Sequence, residues 1–88
     1  MLTFHDACSY DPQGNVINFL AERGGERITC RLSLEALHLQ VGLQGSDTGA
    51  VLLAFHEARD VAEEIAIHKY ENGQIEPDGS VLVHAGDF

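Results

Sequence analysis

The stretch AVLLAFHEARDVAEEIAIHKYE, residues 50–71, decides the fold. Val51, Phe55, Ala58, Ala62, Ile65, Ala66 and Tyr70 recur on one stripe at helical spacing, while Glu57, Asp60, Glu64 and His68 take the other side. The pattern predicts an amphipathic helix of about six turns, ended by Asn72-Gly73. A helix with one apolar face needs a surface to cover, and the residues before it supply one.

Upstream, Leu2, Phe4, Cys8 and Tyr10 share one parity and Thr3, His5 and Ser9 the other, the period of a half-buried strand that Asp6 interrupts. Asp11-Pro12-Gln13-Gly14 reads as a turn, with Pro12 fixing φ at its second position and Gly14 able to take positive φ. A second strand is expected over residues 15–21, where Val16, Ile17, Phe19 and Leu20 put apolar groups on both faces and predict a central, covered strand. Arg23-Gly24-Gly25 turns the chain into a third strand, residues 26–32, with Ile28, Cys30 and Leu32 on one face and Arg27, Thr29 and Arg31 on the other.

Residues 33–41 fit two patterns. Leu34, Leu37 and Val41 make a helical face capped by Ser33, whereas Leu37, Leu39, Val41 and Leu43 alternate as a strand does. Glu35 in the first turn, Ala36, Leu37 and the terminating Gly42 favour a short helix. Residues 44–49 form a polar loop offering Ser46, Asp47 and Thr48 as helix caps. After the long helix, Pro77-Asp78-Gly79 turns into a last strand through Val81, Val83 and Ala85.

The expected fold is therefore α+β: one domain over residues 1–88, a two-layer sandwich in the order β-β-β-α-α-β. An antiparallel sheet of about four strands would carry the helices on one face. The 88 residues leave no room for a second domain.

The chain resembles a small bacterial family of proteins known as the domain of unknown function 1488 family. The resemblance covers nearly the whole chain. It is carried by Tyr10-Asp11, Val16 and Phe19, Glu35-Ala36-Leu37, Phe55 and Arg59 with Ala66 and Tyr70, Gly79-Ser80 and Asp87-Phe88. That family often has an aromatic residue and glycine where this chain has Leu20-Ala21. The resemblance implies a short single-domain α+β protein and no reaction, cofactor or substrate.

Charge narrows the partners. Fourteen acidic residues against five basic ones, Arg23, Arg27, Arg31, Arg59 and Lys69, give a formal charge of −9. Such a field opposes binding to a nucleic-acid backbone or an anionic membrane. The first residues lack the basic and apolar regions of a secretory signal, and the longest apolar run, residues 50–55, is far short of a span. A cytoplasmic protein is expected, with Cys8 and Cys30 as free thiols.

The candidate sites are few. His56, Asp60 and Glu63 fall one and two turns apart along a helix edge, the spacing of a weak divalent-metal site. Arg59 lies beside the buried stripe and needs a partner. One reading is an ion pair with Asp87 that fastens the last strand to the long helix; the other is an anion-binding pocket shared with Tyr10 or Tyr70. No nucleophile elbow, phosphate loop or structural-zinc motif is present, and no cofactor is expected. The expected function is a non-catalytic interaction module, with a homodimer or another protein as partner; the alternative is a small metal- or anion-binding protein or enzyme.

Overall fold

A computed structural model describes residues 2–42 and 47–88. The elements are β1 (Thr3–Asp11), β2 (Val16–Arg23), β3 (Glu26–Ser33), α1 (Leu34–Val41), α2 (Thr48–Glu71) and β4 (Val81–Val83), then a 3₁₀ turn at Ala85–Asp87. The expected α+β architecture is present, as one sheet in the order β1-β2-β3-β4. The two hairpins are antiparallel, but β3 and β4 run parallel, with Cys30 opposite Val81 and Leu32 opposite Val83. This corrects the all-antiparallel expectation. Two helices lie between β3 and β4, and such a crossover brings the chain back to the sheet in its starting direction.

The helices cover one sheet face. Ile17, Phe19 and Ala21 of β2, Ile28, Cys30 and Leu32 of β3, and Val81 and Val83 of β4 are all buried, while the alternate residues are exposed or half-buried. β2 is central as expected, but covered on one side only, since Val16 and Leu20 remain half-buried on the open face. Against the core face α2 sets Val51, Phe55, Ala58, Ala62 and Ala66. The three alanines let the helix backbone lie close to the sheet, and Phe55 meets Phe19 with ring centroids 5.3 Å apart.

β1 contains an irregularity that the alternation hid. Phe4 pairs with Ala21 and Cys8 with Phe19, so four steps along β1 answer two along β2. Two extra residues bulge out. Phe4 and Cys8 thus keep the core-facing parity, while Asp6, which that parity would bury, is exposed.

Local signals explain the element ends. Ser33 Oγ accepts from the Ala36 amide at 3.1 Å, which starts α1 as the helical reading expected. Asp47 Oδ2 does the same for Ala50 at 3.1 Å and starts α2. The expected loop caps include Ser46, which with Leu43, Gln44 and Gly45 lies outside the described residues. In the first turn positive φ falls on Asn15, at 53°, rather than Gly14, and Asp11 Oδ1 braces the turn by accepting from the Gln13 amide at 3.1 Å. Asparagine tolerates this region better than other side chains. Gly24 and Gly25 both have positive φ, 57° and 86°, as a two-residue hairpin of right-handed strands requires. The last strand stops at Val83; Ala85, expected in it, opens the 3₁₀ turn instead.

Candidate functional site

Arg59 is the most connected of the predicted site residues. Its side chain is only 13% exposed and sits 5.5 Å over the Phe55 ring. Nε donates to Glu63 Oε2 at 2.7 Å, Nη1 donates to the Asp6 carbonyl at 3.2 Å, and Nη2 donates to the His5 carbonyl. These carbonyls belong to the bulge in β1, where strand pairing lapses. The guanidinium therefore replaces missing ladder bonds.

The expected Arg59–Asp87 pair gives way to a different one. Asp87 Oδ2 accepts from Lys69 Nζ at 2.8 Å, and the same ammonium donates to the Leu82 carbonyl of β4 at 2.7 Å. Arg59 and Lys69 are ten residues apart on α2, about 15 Å along its axis, and it is Lys69 that reaches the chain end. Lys69 follows Ile65 by four and Ala66 by three, a position beside the buried stripe that could have singled it out. The 3₁₀ turn completes the arrangement. His84 Nδ1 accepts from the Gly86 amide at 3.1 Å, and Asp87 Oδ2 accepts from the His84 amide at 2.9 Å. Partial burial would raise the Asp87 carboxyl, but the hydrogen bonds from Lys69 and the His84 amide, with the Lys69 charge nearby, hold it below its ordinary value.

The remaining predicted residues separate. Tyr70 is eleven residues beyond Arg59, roughly 16 Å along the helix, so they do not share a pocket. Arg23 instead lies 5.8 Å over the Tyr70 ring, and the two line a depression of about 230 Å³ with Leu2 and Glu71. Tyr10 packs half-buried at the far end of β1, opposite Ile17. Of the helix-edge trio, His56 and Asp60 are exposed while Glu63 is taken by Arg59. Among the described residues, no group of three or more His, Cys, Asp or Glu side chains is placed to hold a metal ion.

The open face of the sheet carries what the core does not use. Pairing sets Ser9, Asn18, Arg31 and Leu82 in one row, and Leu20 beside Thr29 in the next. A depression of about 250 Å³ lies there, lined by Ala7, Cys8, Ser9, Asn18, Phe19, Leu20 and Thr29. It meets a second of about 260 Å³ at Thr29, bounded by Arg27, Arg31, Asp78 and Ser80. Arg31 Nη1 donates to Asp78 Oδ2 at 3.1 Å and to Ser80 Oγ at 3.3 Å. Hydrogen bonds from the Ser80 hydroxyl and amide, helped by Arg31, pull the Asp78 carboxyl down to about 2. At the other end His5 Nε2 lies 3.3 Å from Glu22 Oε2. In the core, burial, with the Glu63 charge second, pushes the Cys30 thiol up to about 12, which removes it as a nucleophile.

Among the described residues, no helix is long and apolar enough to cross a membrane. No curated protein matches the chain. A crystal structure of a protein of unknown function from the DUF1488 family of Shewanella loihica PV-4 superposes with a TM-score of 0.87 at 23% identity, covering 93% of this chain and 90% of that one. The likeness extends to the fold. The family model described as protein of unknown function (DUF1488) matches residues 2–83, and with nearly the whole length matched, the chain belongs to the DUF1488 family.

Proposed function

We propose that the protein is a non-catalytic interaction module that docks, and self-associates, through the open face of its sheet. The observation that carries this reading is the one-sided sandwich: helices cover one face, while the other presents Leu20 and two contiguous depressions joined at Thr29. Sheets in α+β and α/β folds commonly gain a layer on such a face, and a partner can provide it.

The titratable groups support a structural rather than catalytic use. Asp78 and Asp87 are held ionised by structural partners and Cys30 is held protonated, the reverse of groups poised near neutral pH. Arg27 and Arg31 are too few to neutralise a nucleic-acid backbone, and a protein partner suits them better. Free thiols at Cys8 and Cys30 fit a reducing compartment such as the cytoplasm.

The test is sedimentation velocity from about 5 µM to 1 mM, on the wild type and on Leu20→Asp. The wild type should show a concentration-dependent rise in sedimentation coefficient that the variant lacks. A wild type that stays monomeric throughout would end the self-association reading.

A further inference from the structure

We infer that Asn72 is a site of spontaneous modification, a water-driven deamidation through a ring closed by the Gly73 nitrogen, and that the end of α2 sets its rate. The site lies apart from the open sheet face and does not depend on its docking role. Sequence picks the residue. Of the three asparagines, Asn15 precedes Val16 and Asn18 precedes Phe19, whose side chains crowd the following nitrogen, while Asn72 precedes a glycine. Gly73 has no Cβ to shield its nitrogen, and a Cβ placed there would meet nothing within 4 Å. Both residues are exposed, so water and hydroxide reach them.

The reaction needs only those two residues and water. Hydroxide takes the Gly73 amide proton, and the nitrogen attacks Cγ of Asn72, an intramolecular step favoured over attack by bulk water. A succinimide ring forms as the Cγ–Nδ2 bond breaks, and Nδ2 takes a proton from water and leaves as ammonia. Water then opens the ring. Cleavage between the nitrogen and Cγ leaves an aspartate; cleavage between the nitrogen and the Asn72 main-chain carbonyl carbon leaves an isoaspartate. One water is consumed and one ammonia released, and nothing is oxidised or reduced.

The fold holds this reaction back. Asn72 caps α2 with φ −94° and ψ 8°. That ψ turns the Gly73 nitrogen away from Cβ, whereas ring closure needs the two eclipsed. The Gly73 amide donates to the Tyr70 carbonyl at 3.2 Å and the Gln74 amide to the Lys69 carbonyl at 2.8 Å, with Gly73 at φ 74°, the paired closing bonds of a Schellman turn. Nδ2 of Asn72, the leaving nitrogen, donates to the His68 carbonyl at 2.7 Å. Attacking atom, leaving atom and the torsion between them are all committed, so the reaction waits for the last turn to open. Lys69 sits in that turn and is tied to the Leu82 carbonyl and Asp87, which makes its latch the gate. The Asp-Gly pair at Asp78-Gly79 is better protected: its carboxylate oxygens accept from Ser80 and Arg31, and an ionised carboxylate has no comparable leaving group.

The product acts back on the gate. A carboxylate at position 72 loses the donor to the His68 carbonyl and sets a negative charge against the negative end of the helix dipole, beside Glu71. An isoaspartate also lengthens the main chain inside the turn. Either product loosens the turn that carries Lys69, and with it the hold of α2 on β4.

The experiment incubates the full-length protein in heavy-oxygen water at about 37 °C and pH 8, folded and unfolded in guanidinium chloride, and follows the three asparagines by peptide mass spectrometry. The unfolded protein should deamidate first at Asn72, with heavy oxygen incorporated there. The folded protein should react at least about tenfold more slowly, because only its opened fraction is competent. Folded Lys69→Met should react at least about threefold faster than folded wild type, and at the same rate once both are unfolded. Asp87→Ala, which loosens the same latch, replaces Lys69→Met if that variant does not fold. Asn72→Asp should lower Tm by about 3–6 °C. Unfolded protein that loses Asn15 or Asn18 first overturns the site. A folded rate equal to the unfolded one, or a latch variant no faster than wild type, overturns the gate. An Asn72→Asp protein that melts with wild type overturns the loosening of the turn by its product.

Discussion

Replacing Arg59 with methionine tests what holds β1 against the long helix. Methionine keeps most of the stem that packs on Phe55 but deletes every donor, leaving the Glu63 carboxylate, 24% exposed, and the His5 and Asp6 carbonyls without their partner. Stranding a half-desolvated carboxylate costs about 1.5–3 kcal/mol, and each weakened carbonyl contact adds roughly 0.5–1 kcal/mol when water can partly replace the donor. The expected loss is about 3 kcal/mol. With an unfolding entropy of ~2.1 cal/mol/K per residue, a chain of this length has about 0.18 kcal/mol/K, so Tm should fall by roughly 15 °C. Arg59→Lys should recover only part of this, since one ammonium cannot serve three acceptors in the fork geometry. Differential scanning calorimetry gives the magnitude, and hydrogen exchange gives the place. Protection should drop first at the amides around Ala7 and Cys8, next to the bulge. A Tm within about 3 °C of wild type, or an even loss of protection over the whole sheet, would refute the clamp.

Four further expectations concern the chain end, the acid limb of stability, the thiols and a helix start. Lys69→Met should cost about 2 kcal/mol by freeing Asp87 and the Leu82 carbonyl, and proteolysis should then remove the last residues more readily. Asp87 and Asp78 both have carboxyls depressed in the folded state. The stability they confer is therefore complete above about pH 4 and is lost as pH falls through their folded values, about 2 for Asp78. Chemical denaturation at pH 7 and pH 2.5 should show a smaller acid loss for Asp78→Asn than for wild type; an unchanged acid limb contradicts the linkage. Cys30, pushed up to about 12, should resist iodoacetamide in the native protein at pH 8 while half-buried Cys8 is alkylated first, as peptide mass spectrometry can read. Ser33→Ala should remove the acceptor for the Ala36 amide and cost about 1 kcal/mol in urea denaturation.

Much of the fold was legible because periodic patterns report on one face of one element. The α2 stripe, the Ser33 cap, the Gly24-Gly25 turn and the core parity of Ile28, Cys30 and Leu32 are all local signals. The direction of β4 was not local: three residues carry no sign of strand polarity, and the crossover before them sets it. The bulge was hidden for another reason. Two extra residues preserve parity, so Phe4 and Cys8 looked continuous, and only the misplaced Asp6 marked the irregularity. Arg59 is a charge needing partners, and it finds them in Glu63 on its own helix and in backbone carbonyls exposed by that same bulge. Lys69 had the matching role at the other end of the helix. The candidate metal trio rested on helical spacing alone, which places side chains on one edge without saying that Glu63 will turn to Arg59.

These clamps also bear on why the face, rather than an edge, is the surface to test. An exposed edge strand invites pairing with another chain unless something interrupts it. β1 is the long edge, and its regular ladder is broken by the bulge, whose His5 and Asp6 carbonyls are occupied by Arg59. β4 is the other edge, only three residues long, with the Leu82 carbonyl taken by Lys69 and its exit bent away by the 3₁₀ turn. Both edges are thus poor templates for strand addition. Loosening the β1 clamp with Arg59→Met should therefore create edge-mediated aggregation on heating, which a second substitution on the open face, Leu20→Asp, leaves unchanged. Aggregation that Leu20→Asp suppresses would place it on the face instead and remove this role for Arg59.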